Sequence, residues 1–194
     1  MLTLYDYELS GNCYKVRLML AFLKLSYDQE LIEFYPSKQH KTHAFLKINP
    51  LGQLPVLSDE DVIIRDAQAI LIYLAHKYDK KKTWYPIMQT DLLGQVSEWL
   101  FFANELTLTS SAARLHDGFF YTDIHIEKCR KSAHKLFRIL DEQLYFNEQN
   151  GHSWICKSLF PTIADIACFP YTILSCLLYT SPSPRDATLS RMPS

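Results

Sequence analysis

Short apolar runs and helical patterns alternate over roughly the first eighty residues. Residues 2–5 predict a short buried strand, and residues 27–34 predict a second strand. Between them, residues 16–25 are almost entirely apolar, which is typical of a helix that is buried on most of its circumference. The polar breaks in and beside this helix are three basic residues, Lys15, Arg17 and Lys24.

A second group of elements follows this strand–helix–strand unit. Residues 42–48 predict a short helix that ends at Asn49-Pro50, because the residue before a proline avoids helical backbone angles. Residues 54–57 and 62–64 are apolar runs on either side of a polar turn and predict a hairpin. Asp66 is a suitable N-cap for the helical pattern behind it. The predicted order is βαβαββα, and its first three elements imply a parallel strand pair joined by a helical crossover.

The remainder of the chain shows helical patterns and no strand alternation. A charged break at residues 79–83 precedes Pro86, and we place a domain linker there, between a domain of residues 1–79 and a domain of residues 88–176. Thr162 and Asp165 have the spacing of a capping box. The predicted helices are residues 92–108, 122–144 and 162–175.

Residues 177–194 differ in composition from the rest of the chain. They are polar and contain prolines, so they cannot extend a packed helix. We expect this segment to be disordered and non-native, like translated sequence appended to an incomplete cDNA. The chain before it would then be truncated at its C-terminus, and residues 177–194 are excluded from the fold prediction.

Composition and charge narrow the function classes. The chain has 194 residues, of which 48% are hydrophobic and 21% charged, with a formal net charge of −1. Without a basic stripe or a long apolar run, neither nucleic acid nor a membrane is a predicted partner. The N-terminus has no signal-peptide pattern, and the five cysteines show no paired spacing, so we expect reduced thiols and a cytoplasmic location. No metal site is predicted.

The segment Asn49–Leu57 is the most informative one for function. Two prolines flank a glycine, and an apolar run follows. Pro55 stands at the start of the predicted strand, where its missing N–H is tolerated and where a cis peptide bond is feasible. Backbone groups ahead of such a strand can pair with an extended peptide. The alternative is a plain turn that leads into a strand.

Five motifs, in this order, resemble the cytosolic glutathione transferase family and its serine classes. They are Ser10–Leu18, Gln39–Phe45, Asn49–Leu57, Asp66–Ile70 and Phe160–Ile166. The resemblance covers residues 1–176. It implies an α/β thioredoxin-like N-terminal domain (βαβαββα) followed by an all-α helical domain. It also implies a homodimeric glutathione transferase that takes glutathione as co-substrate and conjugates it to a small hydrophobic electrophile.

The resemblance also implies roles for individual residues. Ser10 would be the catalytic residue, because its hydroxyl would donate to the glutathione sulfur at a helix N-terminus, where the pKa of a thiol is lowered. The alternative for Ser10 is a plain N-cap. The glutathione-binding residues would be Asn12, His40, Lys41, Gln53, Leu54, Pro55, Asp66 and Ala67.

Several of these residues have a second interpretation. His40 and Lys41 could meet the glycyl carboxylate or simply be solvated in a polar loop. The Leu54 backbone would pair with the cysteinyl unit, while Asp66 would cap a helix and could also face the α-ammonium group. Ala67 stands where family members usually carry Ser or Thr, so only the helix N-terminus would bind the γ-glutamyl carboxylate, and we expect weaker affinity.

Two alternative functions remain open. One is a glutathione-dependent thiol–disulfide reductase with Cys13 or Asn12 in the lead role. Cys13 follows Ser10 by three positions and would favour this function if it faced the site, although free cysteines more often pack beneath a helix. Ala67 and the expected truncation favour a non-catalytic binding or dimerisation module.

Three aromatic residues are predicted to be core, namely Trp99, Phe101 and Phe102. Two further residues are candidates for the border of the electrophile site, namely Arg114 and His116.

Overall fold

The computed structural model describes residues 1–119 and 125–175. Its first half is a four-stranded sheet with the strand order β2-β1-β3-β4. β1 pairs with β2 in parallel and with β3 antiparallel, and β3 and β4 form an antiparallel hairpin. The elements are β1 (Leu2–Asp6), α1 (Gly11–Phe22), β2 (Asp28–Leu31), α2 (His43–Ile48), β3 (Val56–Asp59), β4 (Val62–Arg65) and α3 (Ala67–Tyr78). The predicted βαβαββα order and the parallel first pair are confirmed.

Two strand boundaries differ from the predictions. β2 is shorter than predicted because the backbone of Glu33 turns away from β1 and bonds with Gln39, whose N–H donates to the Glu33 carbonyl at 2.9 Å while its side chain accepts from the Glu33 N–H at 2.8 Å. β3 begins at Val56 rather than at residue 54, since Pro55 has no N–H to contribute to a ladder.

Side-chain caps fix where the helices begin. Ser10, Thr42 and Asp66 each accept hydrogen bonds from backbone N–H groups in the first turn of the helix that follows. Thr162 and Asp165 form the predicted capping box. These caps satisfy donors that a helix N-terminus would otherwise leave unpaired.

The second half of the described chain is helical. α4 (Thr90–Leu106) continues through a π-helical segment (Thr107–Ser111) into α5 (Ala112–Phe119), so the helix does not end near residue 108 as predicted. α6 (Ile126–Gln149) and α7 (Ile163–Ile173) follow. The predicted helix start at residue 122 and the predicted tail of residues 177–194 lie outside the described residues. The linker between the two predicted domains, residues 80–87, stays a prediction.

One apolar core joins the two halves. α3 packs on β3, β4 and α1, while both α1 and α3 contact α7. α4 also packs on α7. Representative core residues are Leu20, Leu71, Leu100 and Ile163. In the part of the chain that the structure describes, no helix combines the length and apolarity needed to cross a bilayer.

Two side chains depart from the predicted pattern. Lys15 is not a polar break at the surface, because its side chain is wholly buried where α1 meets α7. Trp99 is core as predicted, but Phe101 is 74% exposed, because it faces away from the packed side of α4.

Candidate functional site

A cavity of about 580 Å³ opens between the end of the sheet, the start of α1 and the helical half. Seven of the nine predicted site residues line it: Ser10, Asn12, Gln53, Leu54, Pro55, Asp66 and Ala67. Its opposite wall comes from the α4–α5 segment and from Tyr171 of α7. The cavity therefore brings together three loops that are far apart in sequence.

Ser10 is the N-cap of α1. Its backbone is extended (φ −78°, ψ 121°), and its Oγ accepts a hydrogen bond from the Cys13 N–H at 3.2 Å. A hydroxyl that accepts in this way still has its own proton to donate. Capping and donation to a ligand in the cavity are therefore compatible.

The first turn of α1 rests on a tyrosine from the other half of the chain. The Asn12 N–H donates to the hydroxyl of Tyr171 at 3.2 Å. A Cβ at Gly11 would lie 2.5 Å from the Tyr171 ring, so only glycine fits at that position. Thr107 in the π-helical segment donates weakly, at 3.5 Å, to the Asn12 side chain. Sequence reasoning missed Tyr171, for which no local signal exists.

The loop before β3 has the predicted cis peptide bond between Leu54 and Pro55. The Asn49 side chain holds this loop by donating to the Gln53 carbonyl at 2.8 Å and accepting from the Leu51 N–H at 3.1 Å. Gly52 has a φ of +56°, a conformation that favours glycine. The loop thus presents Gln53, Leu54 and Pro55 to the cavity as one ordered unit.

His40 and Lys41 lie behind the cavity wall rather than on it. His40 is 2% exposed and stacks on Phe34, with ring centroids 4.0 Å apart, so the solvated interpretation is wrong for this residue. Burial, followed by the positive charges of nearby lysines, lowers the pKa of His40. The exposed Lys41 donates to the carbonyls of Leu51 and Gly52 at 3.0 and 2.9 Å and so fastens the cis-proline loop from outside.

Asp66 and Ala67 form the N-terminus of α3. Asp66 accepts from the N–H groups of Gln68 and Ala69 at 2.9 and 3.0 Å, both through Oδ1. The Gln68 side chain donates to Asn104 of α4 at 2.7 Å. This bond ties the start of α3 to the helical wall of the cavity.

Cys13 does not face the cavity. It is fully buried beneath α1, as the sequence favoured. Burial raises the pKa of its thiol to about 12, so the thiolate is not populated at neutral pH. This placement removes the structural basis for a reductase that uses Cys13.

The helical wall is chemically mixed. Arg114 lines it and donates to the Leu9 carbonyl at 2.9 Å, whereas His116 is not among the lining residues. Two leucines, Leu108 and Leu115, alternate with polar or charged neighbours: Asn104, Glu105, Thr107 and Ser111. Among the described residues, no group of three or more His, Cys, Asp or Glu side chains is arranged to hold a metal ion.

Comparisons with known proteins agree with this architecture. Residues 4–82 match the family model for the glutathione S-transferase N-terminal domain. Glutathione S-transferase 1 of Dianthus caryophyllus is 35% identical over 89 residues, which are 46% of this chain and 38% of that protein. The chain spans less than half the length of the curated relatives it matches.

Solved structures extend the likeness to the helical half. A possible glutathione S-transferase from Rhodopseudomonas palustris has a TM-score of 0.80 at 25% identity, covering 94% of this chain and 87% of its own. Ure2p in complex with glutathione has a TM-score of 0.81 at 22% identity, covering 99% of this chain and 95% of its own. Both support a thioredoxin-like domain followed by a helical domain.

Proposed function

We propose that this chain, whose residues 4–82 match the glutathione S-transferase N-terminal domain, is a member of that family that binds glutathione and joins its sulfur to a small electrophile. The observation that carries this proposal is the position of Ser10. Its hydroxyl lies at the N-terminus of α1 and on the wall of a cavity that the cis-proline loop and the start of α3 also line.

The tripeptide is held, in this proposal, along the sheet side of the cavity. The Leu54 backbone pairs with the cysteinyl unit as an added strand would. The N-terminus of α3 at Ala67 takes the γ-glutamyl carboxylate through backbone N–H groups. Asp66 uses Oδ1 for its cap, and its second carboxylate oxygen accepts from the α-ammonium. Gln53 borders the same unit.

The proposed conjugation requires the thiol of glutathione to be ionised. The N-terminus of α1 favours negative charge, and the Ser10 hydroxyl donates to the sulfur more strongly once it is ionised. The thiol proton leaves to solvent. The sulfur electron pair forms the new C–S bond, while the leaving group departs from the electrophilic carbon with the electron pair of the bond that breaks.

His40 and Lys41 act indirectly in this scheme. Because both lie behind the wall, we assign them the support of Phe34 and of the cis-proline loop rather than contact with the glycyl carboxylate. The electrophile lies against the helical wall, where Leu108 and Leu115 accept its apolar part.

Homodimer formation and a cytoplasmic location remain part of the proposal. The apolar faces of α3 and α4 are used largely within one chain, as the burial of Leu71, Leu74 and Leu100 illustrates. Phe101, at 74% exposure, is the most exposed aromatic residue on α4. Light scattering of the purified protein at micromolar concentration would decide the assembly, and a stable monomer would remove it from the proposal.

Replacing Ser10 by alanine tests the catalytic assignment. We expect the conjugation rate with an activated aryl halide to fall on the order of 100-fold, since one preorganised donor to the reacting atom is lost. Glutathione affinity should change little, because other contacts hold the tripeptide. Ser97→Ala is the matched control, because its hydroxyl bonds to Leu93 within α4. A Ser10→Ala protein that loses about 1 kcal/mol of stability but keeps its turnover would reduce Ser10 to a cap.

A second candidate function is glutathione binding without conjugation. One observation favours it: Ala67 has no hydroxyl to offer the ligand. Calorimetric titration with glutathione, together with the conjugation assay, separates the two candidates. Binding without turnover over a panel of electrophiles would select the second one, and absence of binding would reject both.

A further inference from the structure

The phenol of Tyr171 lies against the first turn of α1. It is 3% exposed, yet it lines the cavity together with Ser10 and Asn12. Its oxygen accepts from the Asn12 N–H at 3.2 Å, one residue beyond the glycine that follows Ser10. The hydroxyl of Ser10 and the hydroxyl of Tyr171 therefore both lie at the first turn of α1.

The Tyr171 ring is fixed on two sides. Gly11 leaves room for it, because an ideal Cβ there would come within 2.5 Å of Cε1. On α1, one turn later, the Lys15 ammonium lies 4.9 Å from the ring centroid. A ring held in this way directs its hydroxyl at the start of α1 without conformational freedom to lose when a ligand binds.

Tyr171 keeps its proton at neutral pH. Burial is the largest influence and raises the pKa of the phenol. The titratable groups that face it are Cys13 and Lys15 of α1 and Arg114 of α5. Ser111 also hydrogen-bonds to the phenol and, like the Asn12 N–H, lowers its pKa. A phenol oxygen that accepts from these two donors still has its own O–H to donate.

We propose that Tyr171 is a second catalytic hydroxyl, which donates a hydrogen bond to the glutathione sulfur alongside Ser10. This inference rests on the proposed function. It means that the thiolate is stabilised by one hydroxyl from the thioredoxin-like half and one from the helical half.

The test is Tyr171→Phe in the full chain, with ultraviolet absorbance of the bound glutathione thiolate followed as a function of pH. The variant keeps the ring against Gly11 and Lys15 and removes only the hydroxyl. Because a hydrogen bond to a charged group is lost, the pKa of the bound thiol should rise by about 1. Below that pKa, kcat/KM for an activated aryl halide should fall about 10-fold.

The direction in which the pKa of the bound thiol changes shows whether the Tyr171 hydroxyl donates to the sulfur or only occupies the Asn12 N–H. If Tyr171 only occupied the Asn12 N–H, its removal would free that donor for the sulfur, and the pKa of the thiol would fall. A fall or an unchanged pKa therefore overturns the inference. Tyr73→Phe is the matched control, because that hydroxyl donates to Asp59 outside the cavity lining, and it should leave the thiol pKa unchanged.

Failure of the inference is distinguishable from failure of the proposed function. If the natural chain does not lower the pKa of the glutathione thiol, both fall. If it does and Tyr171→Phe matches it, only the inference falls. Should Tyr171→Phe not fold, an ortho-fluorotyrosine at position 171 provides a stronger donor of nearly the same shape. It should lower the pKa of the bound thiol, and no change there would overturn the inference.

Discussion

The buried ammonium of Lys15 gives the most quantitative prediction. Its side chain is fully buried, and its Nζ has no hydrogen-bond partner among the described residues. The Nζ lies 4.9 Å from the centroid of the Tyr171 ring. Burial of an unpaired charge is costly. Lys15→Met replaces it by an apolar side chain of similar length, so no large cavity should form.

The magnitude follows from the pKa of Lys15. Burial, offset in part by the Asp66 carboxylate, lowers it from 10.5 to about 8. Each pKa unit corresponds to about 1.4 kcal/mol, so the charged form destabilises the fold by roughly 3 kcal/mol relative to the neutral amine. Part of this penalty is compensated by the aromatic ring. We therefore expect Lys15→Met to raise the free energy of unfolding at pH 7 by about 1–3 kcal/mol.

The stability difference between Lys15→Met and the natural chain should depend on pH. Between about 8 and about 10.5 the folded chain binds fewer protons at Lys15 than the unfolded chain, so the stability of the natural chain rises with pH across that window. The Lys15→Met protein has no such group. Its advantage should be full at pH 7 and should shrink as the pH rises, because the lysine is then buried neutral.

Urea unfolding of both proteins at a series of pH values measures this difference in the free energy of unfolding. Other titrating groups contribute equally to both proteins, so their effect cancels. Lys47→Met is the control, because Lys47 is exposed on α2 and its replacement should not stabilise the fold. The reasoning is refuted if Lys15→Met is no more stable than the natural chain at pH 7, or if its advantage does not depend on pH.

Three further substitutions test the architecture. Gly11→Ala should destabilise the fold by about 1–3 kcal/mol and weaken glutathione binding in calorimetry, because its Cβ would collide with Tyr171, whereas Gly94→Ala in the open interior of α4 should stabilise by about 0.5–1 kcal/mol. Asp59 accepts from Tyr73, Lys77 and Tyr78 at 2.7, 2.6 and 2.5 Å. These donors lower its pKa from 3.8 to about 2 against the opposing effect of burial, so the stability it contributes should be lost as the pH falls from about 4 to about 2. Asp59→Asn should cost about 2–3 kcal/mol at pH 7 and abolish that acid-dependent part in thermal unfolding.

The sequence predicted those features that depend on residues close to one another in the chain. Ser10, Thr42, Asp66 and Thr162 are caps in the structure because a short polar side chain before an apolar run satisfies the first N–H groups of a helix. The apolar runs were enough to order the elements, and Pro55 marked the loop before β3. These signals lie within a few residues of the feature that they predict.

The rest depended on contacts between distant residues. Tyr171 meets Asn12 across 159 positions in sequence, and no periodicity in α7 distinguishes that tyrosine from a core residue. Lys15 reads as a surface position because lysine is rarely buried, and only the packing of α7 on α1 encloses it. The π-helical segment also escaped prediction, since its residues have ordinary helical composition.

Residues from both halves of the chain form the candidate site, so a mutation in either half should affect it. Tyr171 bonds to the Asn12 N–H, and Gln68 bonds to Asn104, so each cavity-lining helix start in the thioredoxin-like half has a partner in the helical half. A change in how α7 sits on α1 must therefore move the hydroxyl of Tyr171 relative to Ser10. Lys15 and Gly11 lie on that same surface. Under the proposed function, substitutions there should alter the pKa of a bound thiol without contacting the ligand. The helical half would then belong to the catalytic apparatus and not only to the wall of the pocket.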